Sequence, residues 1–438
     1  MLAGVCSSLM KHLTFRLALA CTIACCGAAV ASHAQAPQAG AVPTFAHDVA
    51  PILYANCVSC HRAGEVAPMS LLTYAEARPW AQAINRRVTD SSMPPWHAEA
   101  APGTFANERR LSAVQKSVIS RWVAGGAPLG DPSDMPPAPT FTDGWRIGAP
   151  DQVFELPEAY PVPATGTIEY ENFYVPTGFT EAKWLQAIEA RPGNRALVHH
   201  ILVYYEAPPE DGAPAPILQL NREHNQLPPR QPGLRPARRP AGPARLIATY
   251  APGTNPQVFP LGTALRLPPG GVLHFQMHYT AVGKPGTDRS SVGLIFAKQP
   301  PATEMRSTAF FNARLVIPPG AADQAVSTEV TFAQDALVWG LFPHTHVRGK
   351  RWNYVMVLPD GSSKTILSVP KYDFNWQTYY MFSDPLQVPK GARIVSTAWY
   401  DNSPANRANP DPSIEVHWGD QTWEEMQYTG ILYSARTP

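Results

Sequence analysis

The five residues Cys57-Val58-Ser59-Cys60-His61 constrain this chain more than any other stretch. Two cysteines separated by two residues, with a histidine directly after the second, form the attachment pattern of a c-type haem. The two thiols can add to the vinyl groups of the porphyrin, and the adjacent imidazole can then ligate the iron from one side. A zinc half-site would need two more ligands nearby, and a dithiol enzyme has no use for the histidine. One covalent haem c is therefore expected, held by Cys57, Cys60 and His61, provided the chain leaves the cytoplasm.

The N-terminus predicts that it does. Lys11 and Arg16 precede an apolar run, Leu17 to Ala31, that is short and rich in small residues, and cleavage after Ala34 fits the small residues that follow. Residues 1–34 are read as a signal peptide and the mature protein as periplasmic. No later stretch is apolar enough to span a bilayer. Of six cysteines, Cys6, Cys21, Cys25 and Cys26 fall in the removed segment, so 6 − 4 = 2 remain, both in the haem motif. An exported chain without disulfides has to rest on ordinary core packing. Removing Lys11 and Arg16 leaves 33 basic against 34 acidic residues, a net charge of −1. No basic tract suggests nucleic acid.

The remaining 438 − 34 = 404 residues leave room for about three domains. Residues 43–131 read as a small helical unit. Phe45 to Asn56 carries Val49, Ile52 and Leu53 at helical spacing and runs into the haem motif, and Tyr74 to Val88 carries Trp80, Ile84 and Val88. Ser112 with Gln115 forms a capping box ahead of the stripe Val114, Val118, Ile119, Trp122 and Val123, which Gly125-Gly126 ends. Helices before and after this motif resemble a cytochrome c domain. Met93, on the proline-stiffened Ser92-Met93-Pro94-Pro95 loop, is the expected axial thioether. Met69 and His97 are its rivals.

Asp131 to Thr140 is a linker by composition, and the boundary is set at 132–144. Beyond it the pattern changes to short alternating strands between Pro, Gly and Asn turns, among them Leu197 to Tyr205, Val272 to Thr280, Leu337 to Leu341, Tyr354 to Leu358 and Arg393 to Tyr400. Two strand-rich halves, 145–300 and 301–438, each fit one β-sandwich. The proline-rich stretch 207–243 reads as a surface insertion or lid.

The histidines group. His199-His200 lie together in a strand-like run, His278 follows Met277, and His344-Thr345-His346 places two rings on one face of a strand where they can converge on a metal. Met426 closes Glu424-Glu425-Met426. Neighbouring strand residues point to opposite faces, so His199 and His200 share a metal only at a strand end or a bulge. His274 has the parity of His278 and is an alternative third ligand. His47, His224 and His417 have no partner by spacing and read as structural.

This ordered set resembles the copper type II ascorbate-dependent monooxygenases, whose familiar members are peptidylglycine alpha-hydroxylating monooxygenase and dopamine beta-hydroxylase. The resemblance is one of four motifs in order over roughly 150–438. It implies two jelly-roll-like all-β sandwiches in tandem with one copper in each. His199, His200 and His278 would hold the electron-transfer copper; His344, His346 and Met426 would hold the one that meets dioxygen. The peptide-amidating members anchor a carboxylate from positions that here are Phe342, Tyr428 and Gly430, which favours a substrate less anionic and more apolar or aromatic.

The expectation is thus a multidomain chain: an all-α cytochrome c domain, then two β-sandwiches. The expected activity is a copper-dependent monooxygenase acting with dioxygen on a small, non-peptide organic substrate. An external periplasmic donor reduces the haem and the haem reduces the first copper. The alternative is a periplasmic electron-transfer or copper-binding protein without an oxygenase step. A cytochrome peroxidase usually needs two haem motifs, and only one is present.

Overall fold

The computed structural model describes residues 40–141, 144–209, 216–227, 244–251 and 254–436. The expected signal peptide lies outside the described residues. The chain divides after Ala41, and Val42 onward packs as one unit. No described helix is long and apolar enough to cross a membrane.

The helical unit forms where the apolar period places it. Phe45–Val49 is a turn of wide helix that continues as Ala50–Asn56 and ends at the haem motif. Tyr74–Ala77 runs through a tight turn, Arg78–Trp80, into Ala81–Thr89. Proline at position 79 lacks the N–H a regular helix would use, which accounts for the interruption. Ala113–Ala124 begins on the Ser112–Gln115 capping box, with both reciprocal bonds made. The period was not uniformly a core signal: Trp80 is 44 % and Val114 67 % exposed. The buried set is Phe45, Val49, Leu53, Ile84, Val88, Ile119 and Trp122. Cys57 packs against this core from its edge.

The rest is β-structure in two face-to-face sandwiches. In the first, a four-stranded sheet in the order Glu171–Pro176, Val272–Tyr279, Val198–Glu206, Arg245–Tyr250 covers strands Gln152–Glu155, Ser291–Phe296, Lys183–Arg191 and Thr263–Leu267. Leu185, Ile188, Ile201, Val203, Phe275 and Met277 fill the space between them. In the second, Ser363–Val369, Gly349–Val357, Arg393–Tyr400 and Gln324–Phe332 cover Thr303–Phe311, Tyr428–Ala435, Ala336–His344 and Tyr380–Val388. Its core includes Phe310, Phe332, Leu341, Trp352, Tyr354 and Ile394. Alternation along the strands puts one side chain in two into these cores.

Three joins cross the expected domain limits. Thr303–Met305 pairs in parallel with Thr263–Leu265, so one sheet of nine strands runs through both sandwiches. Within the 207–243 stretch, Leu218–Leu220 adds an edge strand to Gln324–Phe332 of the second sandwich; residues 210–215 and 228–243 lie outside the described residues. Trp96, Ala98 and Phe105, between the second and third helices, belong to the second sandwich's core. Trp96 and Phe105 pack against Tyr380, and Phe105 bridges to Phe382.

Candidate functional site

His199, His200 and His278 come together because of a bulge. His278 pairs with His200, but the next residue, Tyr279, pairs with Val198, so His199 is the extra residue with no partner across the ladder. The bulge turns two neighbouring side chains to one side, which a regular strand forbids. Nδ1 of His200 lies 3.1 Å from Nδ1 of His199 and 3.4 Å from Nδ1 of His278. One ligand atom from each of the three residues lies within 4.8 Å of the others. Two nitrogens about 2.0–2.1 Å from one ion stand roughly this far apart.

His274 is not part of this group. Its Nδ1 meets Glu206 Oε1 at 2.9 Å and its Nε2 meets Asn172 Oδ1 at 2.7 Å, and its ring stacks between Tyr174 and Tyr204. Both nitrogens are engaged, so no lone pair is offered to a metal.

His344 ends a strand of the second sandwich and His346 follows it, their ring centroids 5.2 Å apart. His344 Nδ1 donates to Gln377 Oε1 at 2.9 Å, and His346 Nδ1 donates to the Glu424 carbonyl at 3.1 Å. The amide of Gln377 is oriented by its own N–H donation to Phe374 O. These bonds set the tautomer and leave a bare Nε2 lone pair on each ring, the form a metal takes. Among the described residues, His346 Nε2 is buried without a hydrogen-bond partner.

Glu425 braces this end. Its carboxylate accepts from the backbone N–H groups of His346 at 2.7 Å, Arg348 at 2.6 Å and Met426 at 3.2 Å. One oxygen, Oε2, thus ties the backbones of His346 and Met426 together. Arg348, fully buried, donates to Asn402 Oδ1 and to the Trp423 carbonyl. Burial pushes the Glu425 carboxyl up to about 8, while the three N–H groups and Arg348 pull it back toward the anion. Gly349 keeps the turn tight, since a Cβ there would meet Thr345 Oγ1.

The two imidazole groups face each other. The Phe374 ring stands 5.7 Å from His199, 6.1 Å from His200, 6.2 Å from His278 and 6.0 Å from His346. Tyr170 contacts His200, His278 and His346 at 5.4, 4.7 and 6.1 Å. Burial holds all five rings neutral: His278 is pushed down to about 3, His344 to about 4, His200 and His346 far below the ordinary value, and His199 less so. Neutral, converging imidazoles among aromatic rings suit copper in either oxidation state. The wall beside His344 is Phe342, stacked on it, and Tyr428, edge-on to it.

At the Cys57–His61 motif, His61 Nδ1 lies 3.3 Å from the Met69 carbonyl, which leaves Nε2 free to ligate a metal. Burial lowers the His61 pKa and raises the Cys57 thiol to about 12. Cys57 and Cys60 are both free thiols. The cysteines and a correctly turned imidazole fit a covalently bound haem. Met69 supplies its carbonyl to His61. Met93 N–H bonds to Arg87 O at the end of the second helix, and the chain then leaves for the second sandwich. His47, His224 and His417 each have a local partner: Asp48, Thr328 and Glu415.

Sequence reasoning missed Gln377, Asn375, Glu425, Arg348 and Tyr170, of which Glu425 carried a signal as the residue beside Met426. Phe374 is in the polar-aromatic Tyr372-Asp373-Phe374 loop, which by sequence could equally line a pocket or form an ordinary turn.

No family model matches the chain, and no curated protein matches it. Among solved structures, the major capsid protein P2 from bacteriophage PM2 overlaps 66 % of this chain and 98 % of its own, at 9 % identity and a TM-score of 0.26. The infectious bursal disease virus VP2 subviral particle overlaps 66 % and 72 %, at 9 % identity and 0.19. Allantoicase from Saccharomyces cerevisiae overlaps 63 % and 80 %, at 6 % identity and 0.18. Likeness this loose assigns neither a family nor an activity.

Proposed function

We propose that this chain is an exported copper-dependent monooxygenase that hydroxylates a C–H bond of a small, non-peptide organic substrate, with electrons relayed from a c-type haem on the same polypeptide. The observation that carries the reading is the pair of facing imidazole groups, one made by the bulge at His199 and the other by the tethered His344 and His346.

Each group has its own task. His199, His200 and His278 would hold a metal by three nitrogens, and the resemblance gives this group the electron-transfer role. His344, His346 and Met426 would hold a second with a thioether in the set, which favours the reduced state that meets dioxygen. Copper there would supply one-electron steps and dioxygen activation, and haem iron would supply electrons one at a time. The balance is R–H + O₂ + 2 e⁻ + 2 H⁺ giving R–OH + H₂O, so an external donor is required.

The chain's own residues support the relay. Cys60 shares a groove with Arg195 and Tyr250 of the first sandwich. Arg195 Nη1 reaches Glu65 Oε2 at 2.5 Å, four residues before His199, and Tyr250 pairs with Ile201 on the strand that carries both histidines. The segment whose Cys57, Cys60 and His61 would hold the haem therefore abuts the strand of the first metal group. Phe374 and Tyr170 each contact rings of both groups.

The test begins with metal content of protein matured in a periplasm: one iron and two coppers are expected per chain. Substrate-dependent dioxygen uptake should then disappear in Met426→Ile, while haem content stays at one. An electron-transfer or copper-binding protein would take up the metals and show no such uptake. Haem oxidation that is indifferent to copper loading in stopped-flow spectroscopy would remove the relay.

A further inference from the structure

A cavity of about 350 Å³ lies where the helical segment, the first sandwich and the second sandwich meet. That is within the range of small-molecule sites, roughly 300–1,000 Å³. Its aromatic lining is Phe259, Trp339, Trp376, Tyr379 and Phe382. Gln377, whose side chain holds His344, is part of the wall, so the cavity comes within one residue of the second imidazole pair.

Most polar side chains in the wall are spent on the protein itself. Asn107 donates to the Tyr379 carbonyl and accepts from Met381 N–H, Ser307 donates to the Leu246 carbonyl, and both ends of Gln377 are used. Two groups are left over. The Tyr379 hydroxyl is buried with no hydrogen-bond partner among the described residues. Arg109 makes no ion pair among the described residues, and no acidic side chain lines the cavity. Burial disfavours the Arg109 charge most, the nearby Cys60 thiol favours it, and the neighbouring Arg146 disfavours it. A guanidinium keeps its charge under such conditions, so the free-energy gain goes to whatever anion enters.

We propose that this cavity binds an aromatic monocarboxylate, its ring against the tryptophans and its carboxylate on Arg109, with the Tyr379 hydroxyl as a second donor. The cation that Phe342 fails to provide in the second sandwich is thus supplied from the helical segment. Identifying this ligand with the hydroxylated substrate rests on the proposed function; its binding does not.

The experiment uses the full chain with haem attached and copper withheld, titrated calorimetrically with phenylacetate and with neutral phenylacetamide. Phenylacetate should bind the more tightly. Arg109→Gln should weaken it about ten- to hundredfold, the effect of losing one charge-assisted bond, and leave phenylacetamide unchanged. Arg109→Lys should recover part of the loss. Tyr379→Phe should weaken both ligands by about two- to tenfold, and Trp376→Ala should weaken both as well. Equal phenylacetate affinity in the native chain and Arg109→Gln would overturn the proposal, as would no binding of either ligand. A shifted haem reduction potential in Arg109→Gln with unchanged phenylacetate affinity would also overturn it and assign the guanidinium to the haem's propionates. Dioxygen uptake of the copper-loaded chain, read separately, tells a failure of the monooxygenase reading from a failure of this one.

Discussion

The two imidazole groups are built by different means. The first is made by backbone: one sheet supplies all three histidines, and the bulge between the Val198–Glu206 and Val272–Tyr279 strands aims them. Among the described residues, its only hydrogen bond beyond the group is a long 3.4 Å contact from His199 Nε2 to Asn375. The second is made by side chains and loops. Gln377 and the Glu424 carbonyl fix its rings, and Glu425 with buried Arg348 fixes the turn beneath them. A backbone-built site tolerates loss of its neighbours, whereas a loop-built site depends on each of them.

The largest expected effect touches both groups and comes from acid. The five rings are held neutral by burial, with folded pKa values below the ordinary 6.5. Because the folded values are depressed, this contribution to stability is fully present above about pH 6.5. It is lost as pH falls toward about 4 for His344 and about 3 for His278. Copper-free protein followed by thermal unfolding should therefore lose stability steeply between pH 6.5 and 3. His344→Asn should flatten the part of that slope above pH 4.

Next in size is Glu425→Ala. It strands three buried backbone N–H groups, each worth about 1–3 kcal/mol when left unsatisfied, which should cost about 3–5 kcal/mol in denaturant unfolding. No residue around the first group should match it, and an equal cost for Asn375→Ala would erase the contrast.

The smallest effect sharpens the contrast most. Gln377→Leu removes the acceptor that sets the His344 tautomer and should weaken copper at the second group about 10–100-fold. Asn375→Ala should change the first group's affinity by less than about threefold, since a 3.4 Å contact contributes little. Competitive chelator titration of singly loaded protein reads both.

Local chemistry made much of this legible. The capping box at Ser112, the change from helical to alternating period and the need for a bulge at His199-His200 are all short-range rules. The resemblance favours His278 over His274, but the physical reason is the position of Glu206, 68 residues away in the chain. Trp96 and Phe105 look like helical-unit residues in sequence, yet their packing partners Tyr380 and Phe382 lie some 280 positions later, beyond any periodicity. Gln377 and Phe374 sit in a loop whose composition is that of an ordinary turn. Their roles exist only because that loop lands between two sandwiches.

The parallel ladder between Thr263–Leu265 and Thr303–Met305 bears on how charge could travel. Two bodies joined by a tether can swing, and the gap between them then becomes a variable that ligands or solvent can tune. Here the halves are stitched through main-chain amides, so widening the space around Phe374 would mean unzipping a sheet. In the proposed relay, the span an electron would tunnel is consequently a fixed dimension of the fold, and any timing would come from reductant supply or from what occupies the cavity.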